Sequence, residues 1–564
     1  MRFSCFFPLI ILFFIGCSEL KAQKKVSKNS SETIDKTAIK FWYQKDYRQD
    51  SIPGISLNKW HDQNKIKNKK ITVAVIDTQI DLKHEDLQGQ IWINPKEIPN
   101  NGIDDDNNGY VDDINGWSFT GTKSGGYVVW GNFEYVRIIR EWDPIFKDKK
   151  ENQVDAKDLL NYKEYQRAQK ILENQNVDYK NWLESQNYSV RTYPIAKDSL
   201  KHYFPKEDYS YQQLDSLYKK YKINDKTFRQ RREDKDWDIG AMIGFLKRKL
   251  DLNENSLEDI LETKAQIDSI VNKNLNLNFN ERTAIGDNPL KLEKGYGNNL
   301  VCNNKVGYRN IQDHCTKVSG IIAASRNNNI GIKGIADNAR IMPLSISFSG
   351  DEHDKDIAMA IRYAVDNGAK IINMSFGKEF SLHKEWVFEA FKYAEEHNVL
   401  LVHCAGNNGF NVDENPYYPS DNNFDGSKEV CSNFINVGSI SSRLDSTFVS
   451  TFSNYGKQNV DLFAPGEEIY TTSTGNTYVS DSGTSLAGPM VSGTAALIWS
   501  YYPKLTAAQV KKIILDSGTA YDIEVIVPGT TDKKVPFSEL SKSGKVLNVY
   551  NAMQMAEKVS KQKH

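Results

Sequence analysis

Several stretches of the chain are apolar without alternation: Ile71–Asp77 (ITVAVID), Ala339–Leu344 (ARIMPL), Ala369–Gly377 (AKIINMSFG) and Val399–Cys404 (VLLVHC). A strand with one face in water alternates apolar and polar residues, whereas a strand covered on both faces does not. Other segments return an apolar residue every three or four positions. Asp356–Val365 carries Ile357, Ala360, Ile361 and Ala364 and stops at Asn367-Gly368, a helix C-terminal signal. Residues 384–397 read as a helix, as do Ala507–Leu515 behind a Thr506 cap. Val491, Ala495, Ala496 and Ile498 mark one more. Buried strands alternating with helices predict an α/β fold, a parallel β-sheet sandwiched by helices.

The stretch 121–279 breaks this rhythm. It is rich in Lys, Glu, Asp, Asn and Tyr, and its apolar positions have helical spacing: Leu214-Leu217-Tyr218-Tyr221, Ile239-Met242-Ile243-Leu246-Leu250, and Leu257-Ile260-Leu261 behind Ser256, with Asp259 three residues on. A mostly helical insertion is expected. Its charges suit a solvated face; a lid or substrate-docking role is the sharper expectation. The chain then divides into an N-terminal segment 1–22, a tether and arm 23–60, an α/β domain over 61–120 and 280–560, and the insertion 121–279.

Met1-Arg2 and the apolar run Phe6–Ile15 have the form of an export signal, and the run is short for a membrane span. Ile15-Gly16-Cys17 resembles a lipoprotein box, which implies lipidation of Cys17 and attachment to the outer membrane, at the cell surface or in the periplasm. Cleavage near Ala22-Gln23, giving a soluble secreted or periplasmic protein, is the alternative. The remaining cysteines, 302, 315, 404 and 431, are either thiols or disulfide partners whose pairing the sequence leaves open. With 72 basic and 73 acidic residues the net charge is −1, so no field draws the chain to nucleic acid or an anionic membrane.

Chemistry concentrates around Gly483-Thr484-Ser485-Leu486-Ala487-Gly488-Pro489. Small residues at a helix start allow close backbone approach, and the free N–H groups there suit an oxyanion. A serine hydroxyl needs a base, and the base a carboxylate. Asp77 closes an apolar strand, His314 opens a small-residue helix (DHCTKVSGIIAA), and Asn407 follows a strand in Ala405-Gly406-Asn407. The order Asp, His, Ser, with GTSLAGP and AGN, resembles the subtilisin-like serine proteases (subtilases), and the resemblance covers about two-thirds of the chain. It implies a peptide or protein substrate, a triad of Asp77, His314 and Ser485, an oxyanion donor in Asn407, and backbone walls at Ser375-Phe376-Gly377 and Ala405-Gly406 around the residue preceding the scissile bond. A catalytically impaired binding module of the same fold is the alternative.

The histidine motif departs from the family's HGTHVAG: Cys315 stands for Gly and Lys317 for His. A thiol at 315 is expected to be passive or paired. A cation at 317, one turn from His314, would disfavour the imidazolium and move the acid limb of activity to lower pH. Ahead of the insertion, the 237 positions from Asp77 to His314 include Asp104, Asp106, Asn108, Tyr110 and Asp112. Their spacing, with Gly109 at the turn, fits a calcium loop, although position 12 is Asn115 and no flanking helix pair is evident. Calcium bound by these five residues is the expectation; an Asx-rich turn capped by its own side chains is the bland reading.

Overall fold

The computed structural model describes residues 40–64, 69–302, 309–423 and 428–562. The export segment with Cys17, and the tether as far as residue 39, lie outside them. The described residues up to 129 and from 282 onward form one compact unit and residues 130–281 a second.

The first unit is built on a sheet of β1 (Ile71–Asp77), β2 (Trp117–Ser118), β3 (Ala339–Ser345), β4 (Ile371–Met374), β5 (Leu400–Cys404), β6 (Phe434–Ile440) and β7 (Leu462–Pro465). Across the sheet the order is β7-β6-β5-β4-β1-β3-β2, all parallel. Lys545–Val546 extends it beside β7, and Thr519–Ala520 closes that edge antiparallel. The hairpin β8 (Ile469–Ser473) and β9 (Thr477–Asp481) stands apart.

Helices cover both faces: α1 (Arg309–Ala323), α2 (Asp354–Asp366), α3 (Lys384–Glu396), α4 (Thr484–Tyr501), α5 (Ala507–Ser517) and α6 (Val549–Lys561). The residues of β1 show why its sequence does not alternate. Ile71, Val73 and Val75 enter a core with α1, α4, α5 and α6, while Ala74 and Ile76 enter another with α2 and α3. Both sides of the pleat are dry. Helix α4 is buried all round, as its uniformly apolar and small residues require. The arm ahead of β1 adds Trp42, Tyr43, Ile55, Leu57 and Trp60 to the first core.

The second unit is helical. Leu159–Leu200, a helix of 42 residues, packs against Glu134–Phe146, Ile239–Asp251 and Leu257–Ser269. Tyr188, Tyr193, Leu214, Met242, Phe245, Leu246 and Ile260 share its core. Ser210, Thr227 and Ser256 cap their helices reciprocally with Gln213, Gln230 and Asp259. Leu257 and Leu261, expected on an apolar face, are exposed; Ile260 and Ile267 are the residues their helix buries. Among the described residues no helix is long and apolar enough to cross a membrane.

Candidate active site

Ligands gather where parallel strands end, because the chain leaves a sheet there in loops that can approach one another. Asp77 is the last residue of β1 and is 1% exposed. Its Oδ1 accepts the Thr78 N–H at 2.6 Å and lies 2.7 Å from His314 Nδ1, with Oδ2 at 3.0 Å. The carboxylate therefore fixes the proton on Nδ1 and leaves Nε2 as the base. The imidazole keeps 22% of its side-chain surface open. Helix α1 is latched to the loop after β1 by two threonines: Cys315 N–H donates to Thr78 Oγ1, and Asp81 N–H to Thr316 Oγ1.

Burial pushes the His314 imidazole down, but Asp77, by charge and by hydrogen bond, outweighs it and leaves the group above its usual value. Lys317 pulls the other way, yet it is not free: Nζ sits 2.6 Å from Asp313 Oδ2 and 2.7 Å from Asp481 Oδ2. The depression expected from Lys317 is thus present, but Asp77 outweighs it and the net shift is upward. Cys315 is a free thiol, buried and pushed up by desolvation and by Asp77. Cys404 and Cys431 are free thiols as well, so the option of a disulfide among Cys302, Cys315, Cys404 and Cys431 is not realised.

Ser485 lies in the first turn of α4 and is buried. Its Oγ donates to Ser375 O at 3.1 Å, and no hydrogen bond joins it to His314 among the described contacts. Ser375 Oγ donates back to Ser485 O at 2.9 Å. That carbonyl is available because its helical partner would be the N–H of residue 489, a proline.

Asn407 follows β5. Its Oδ1 accepts both the N–H and the Oγ1 of Thr484 at 2.9 Å, and Thr484 Oγ1 accepts the Gly406 N–H. The amide is therefore anchored by its oxygen, which leaves Nδ2 as a donor. Thr484, which ties the 405–407 wall to the start of α4, went unread in the sequence; its place in Gly-Thr-Ser was the available signal. The second wall, Ser375-Phe376-Gly377, leaves β4 beside the first, since Met374 and His403 are register partners.

Away from these residues, the carboxylates of Asp104 and Asp106 come within 4.8 Å of that of Glu97, which is buried. Glu97 Oε2 has no hydrogen-bond partner, and burial, with Asp113 and Asp106 nearby, raises its carboxyl. Oxygen donors of this kind fit a hard divalent cation. Of the expected series, Asp104 and Asp106 fall in this cluster. Within the loop, Asp112 accepts the N–H groups of Asn101 and Gly102, Asn108 Oδ1 accepts that of Tyr110, and Asp104 accepts those of Asn108 and Gly109. Those side chains build the turn, and Glu97, outside the spaced motif, joins Asp104 and Asp106.

The profile of the Subtilase family matches residues 68–535. The chain belongs to the subtilase family. The likeness extends to named proteases. One is a thermophilic serine proteinase of Bacillus sp. (strain AK1), 38% identical over 211 residues, 37% of this chain and 47% of that protein. Another is thermitase of Thermoactinomyces vulgaris, 32% identical over 247 residues, 44% of this chain and 76% of that protein. Against the cell wall-associated protease of Bacillus subtilis (strain 168), at 34% identity over 234 residues, the match covers 41% of this subtilase and 24% of the relative. The chain thus spans from a quarter to about three quarters of the length of these relatives.

Proposed function

We propose that this subtilase is a serine endopeptidase. Ser485 attacks the peptide carbonyl, His314 Nε2 takes the hydroxyl proton and returns it to the leaving amine, and Asp77 orients the imidazole and stabilises its charged form. Asn407 Nδ2 and the Ser485 N–H receive the oxyanion, a donor of this kind being worth about 3–4 kcal/mol. The Ser485 hydroxyl exchanges Ser375 O for His314 by rotating about its Cα–Cβ bond, a local adjustment of the sort that substrate binding commonly completes. The observation that carries this reading is the 2.7 Å contact of a buried carboxylate with His314 Nδ1, which leaves a neutral Nε2 open. The relatives' names as proteases support the same reading.

Glu97, Asp104 and Asp106 would hold a calcium ion, which neutralises carboxylates that otherwise repel one another. The chain acts outside the cytoplasm, either tethered through a lipidated Cys17 or released by cleavage near Ala22. A fluorophosphonate probe tests the chemistry. It labels the wild type at Ser485 and labels neither Ser485→Ala nor His314→Ala; a folded wild type that takes no label ends the reading.

A further inference from the structure

The two backbone walls share an occupant. Gly377 and Gly406 leave neighbouring strands, and neither has a side chain. A Cβ placed on Gly377 would fall 2.3 Å from Tyr417 Cε1 and 2.8 Å from its Cζ. A Cβ placed on Gly406 would fall 2.6 Å and 2.7 Å from the same two atoms. One edge of one ring therefore lies against both walls, sharing the space beside Gly406 with Asn454 Nδ2, which a Cβ there would meet at 2.4 Å. Gly406, at φ +100°, also has a backbone that L side chains rarely adopt.

The ring is held in place. Beside it, Lys378 and Tyr418 exchange both backbone hydrogen bonds at 2.8 Å. Tyr417 packs on the cluster of Ala405, Val412 and Val460. The ring of His403, fixed by its Nε2 at 2.8 Å from Phe376 O, lies 6.5 Å away. Among the described residues no hydrogen bond holds the Tyr417 hydroxyl, so packing and the neighbouring backbone position the ring.

We propose that Tyr417 determines the specificity of this subtilase, its ring filling the slot between Gly377 and Gly406 so that the residue before the scissile bond must be small: Gly, Ala or Ser. The inference rests on the endopeptidase reading and on the two walls flanking that residue. A methyl or hydroxymethyl group fits ahead of the ring. A branched or aromatic side chain must displace it, and overpacking of a held ring is penalised.

The test is a panel of chromogenic peptides that differ only in the residue before the scissile bond: Ala, Ser, Leu, Phe and Lys. The wild type should favour Ala over Phe by at least about tenfold in kcat/KM, the scale that pocket volume commands. Tyr417→Gly should lower that ratio by about tenfold or more, and Tyr417→Phe, which keeps the ring, should retain it. A wild type that cleaves after Leu, Phe or Lys as fast as after Ala overturns the proposal, as does an unchanged ratio in Tyr417→Gly. If Tyr417→Gly does not fold, Tyr417→Ser and the wild-type panel decide by the same criteria. Fluorophosphonate labelling of the wild type separates the two levels. No label sinks the endopeptidase reading, whereas a label with a flat panel sinks only the role of Tyr417.

Discussion

Thr484 holds Asn407 by two hydrogen bonds, both to the amide oxygen and both at 2.9 Å. The residue before Ser485, the proposed nucleophile, thus orients the candidate oxyanion donor. Thr484→Val keeps the shape and deletes the Oγ1 contacts to Asn407 and Gly406, while the Thr484 N–H still holds the amide. The expected result is a fall in kcat of about tenfold with KM little changed. Asn407→Ala, which removes the donor itself, should lose about 10²–10³-fold. Steady-state kinetics on one peptide substrate compares the two, and equal losses would mean that Thr484 does more than orient.

The pH profile follows from the charges around His314. The base must be neutral to act, and Asp77 holds it above the usual 6.5. Activity should therefore fall, as pH drops, with an apparent midpoint above 6.5. Lys317→Met removes a cation that favours the neutral ring and leaves Asp313 and Asp481 uncompensated, so the acid limb should move to higher pH. Asp481→Asn should move it to lower pH. Measuring kcat/KM against pH checks both signs, and movement of the two variants in the same direction would contradict the arrangement.

How much of this was readable beforehand depends on the range of the interaction. The fold was legible because burial on both faces of a parallel strand leaves a local mark, as in the unbroken apolar run of β1, and because α4 carries apolar and small residues all round. Asp77 ends β1 and Asn407 follows β5, as their motifs put them, whereas His314, expected to open its helix, sits five residues inside α1. What was not legible depends on partners far off in the chain. Lys317 looked like a free cation because Asp481 lies 164 positions away. The spacing of 104–112 could not say that Glu97, outside it, would turn toward Asp104 and Asp106. Tyr417 carried no signal at all, since it matters only through two glycines on other loops.

The acidic cluster gives a stability test. If Glu97, Asp104 and Asp106 hold calcium, adding it at 100 times its dissociation constant should raise stability by about 2.7 kcal/mol over the chelated protein. Glu97→Gln should lose most of that difference. Asp112→Ala should instead lower the melting temperature with and without calcium alike, since its carboxyl caps the N–H groups of Asn101 and Gly102. Thermal melts in calcium and in chelator distinguish the residues, and a calcium-dependent loss confined to Asp112→Ala would reverse the assignment.

Thiol chemistry should report burial. Burial raises Cys315 strongly and pushes Cys404 up to about 12 and Cys431 higher still, so thiolate is scarce as well as shielded. Iodoacetamide added to the native protein should leave all three unmodified, and all three should react after unfolding. Peptide mass spectrometry reads the outcome. Fast native labelling of Cys315 would instead mark it as a reactive thiol beside His314.

The pairing of Ser375 with the start of α4 admits a double-mutant test. Ser375 Oγ donates to the Ser485 carbonyl, and Pro489, four residues on, has no N–H to offer it. Ser375→Ala should therefore leave a buried acceptor unsatisfied and destabilise the fold by about 1–3 kcal/mol. Pro489→Ala restores an N–H at the helical position, which is redundant while the serine is present and useful once it is gone. The loss caused by Ser375→Ala should consequently be smaller in the Pro489→Ala background, with a coupling of about 0.5–1.5 kcal/mol. Denaturant melts of the four proteins measure it. Strict additivity would mean that the carbonyl finds another donor and that the serine is kept for its place in the wall alone.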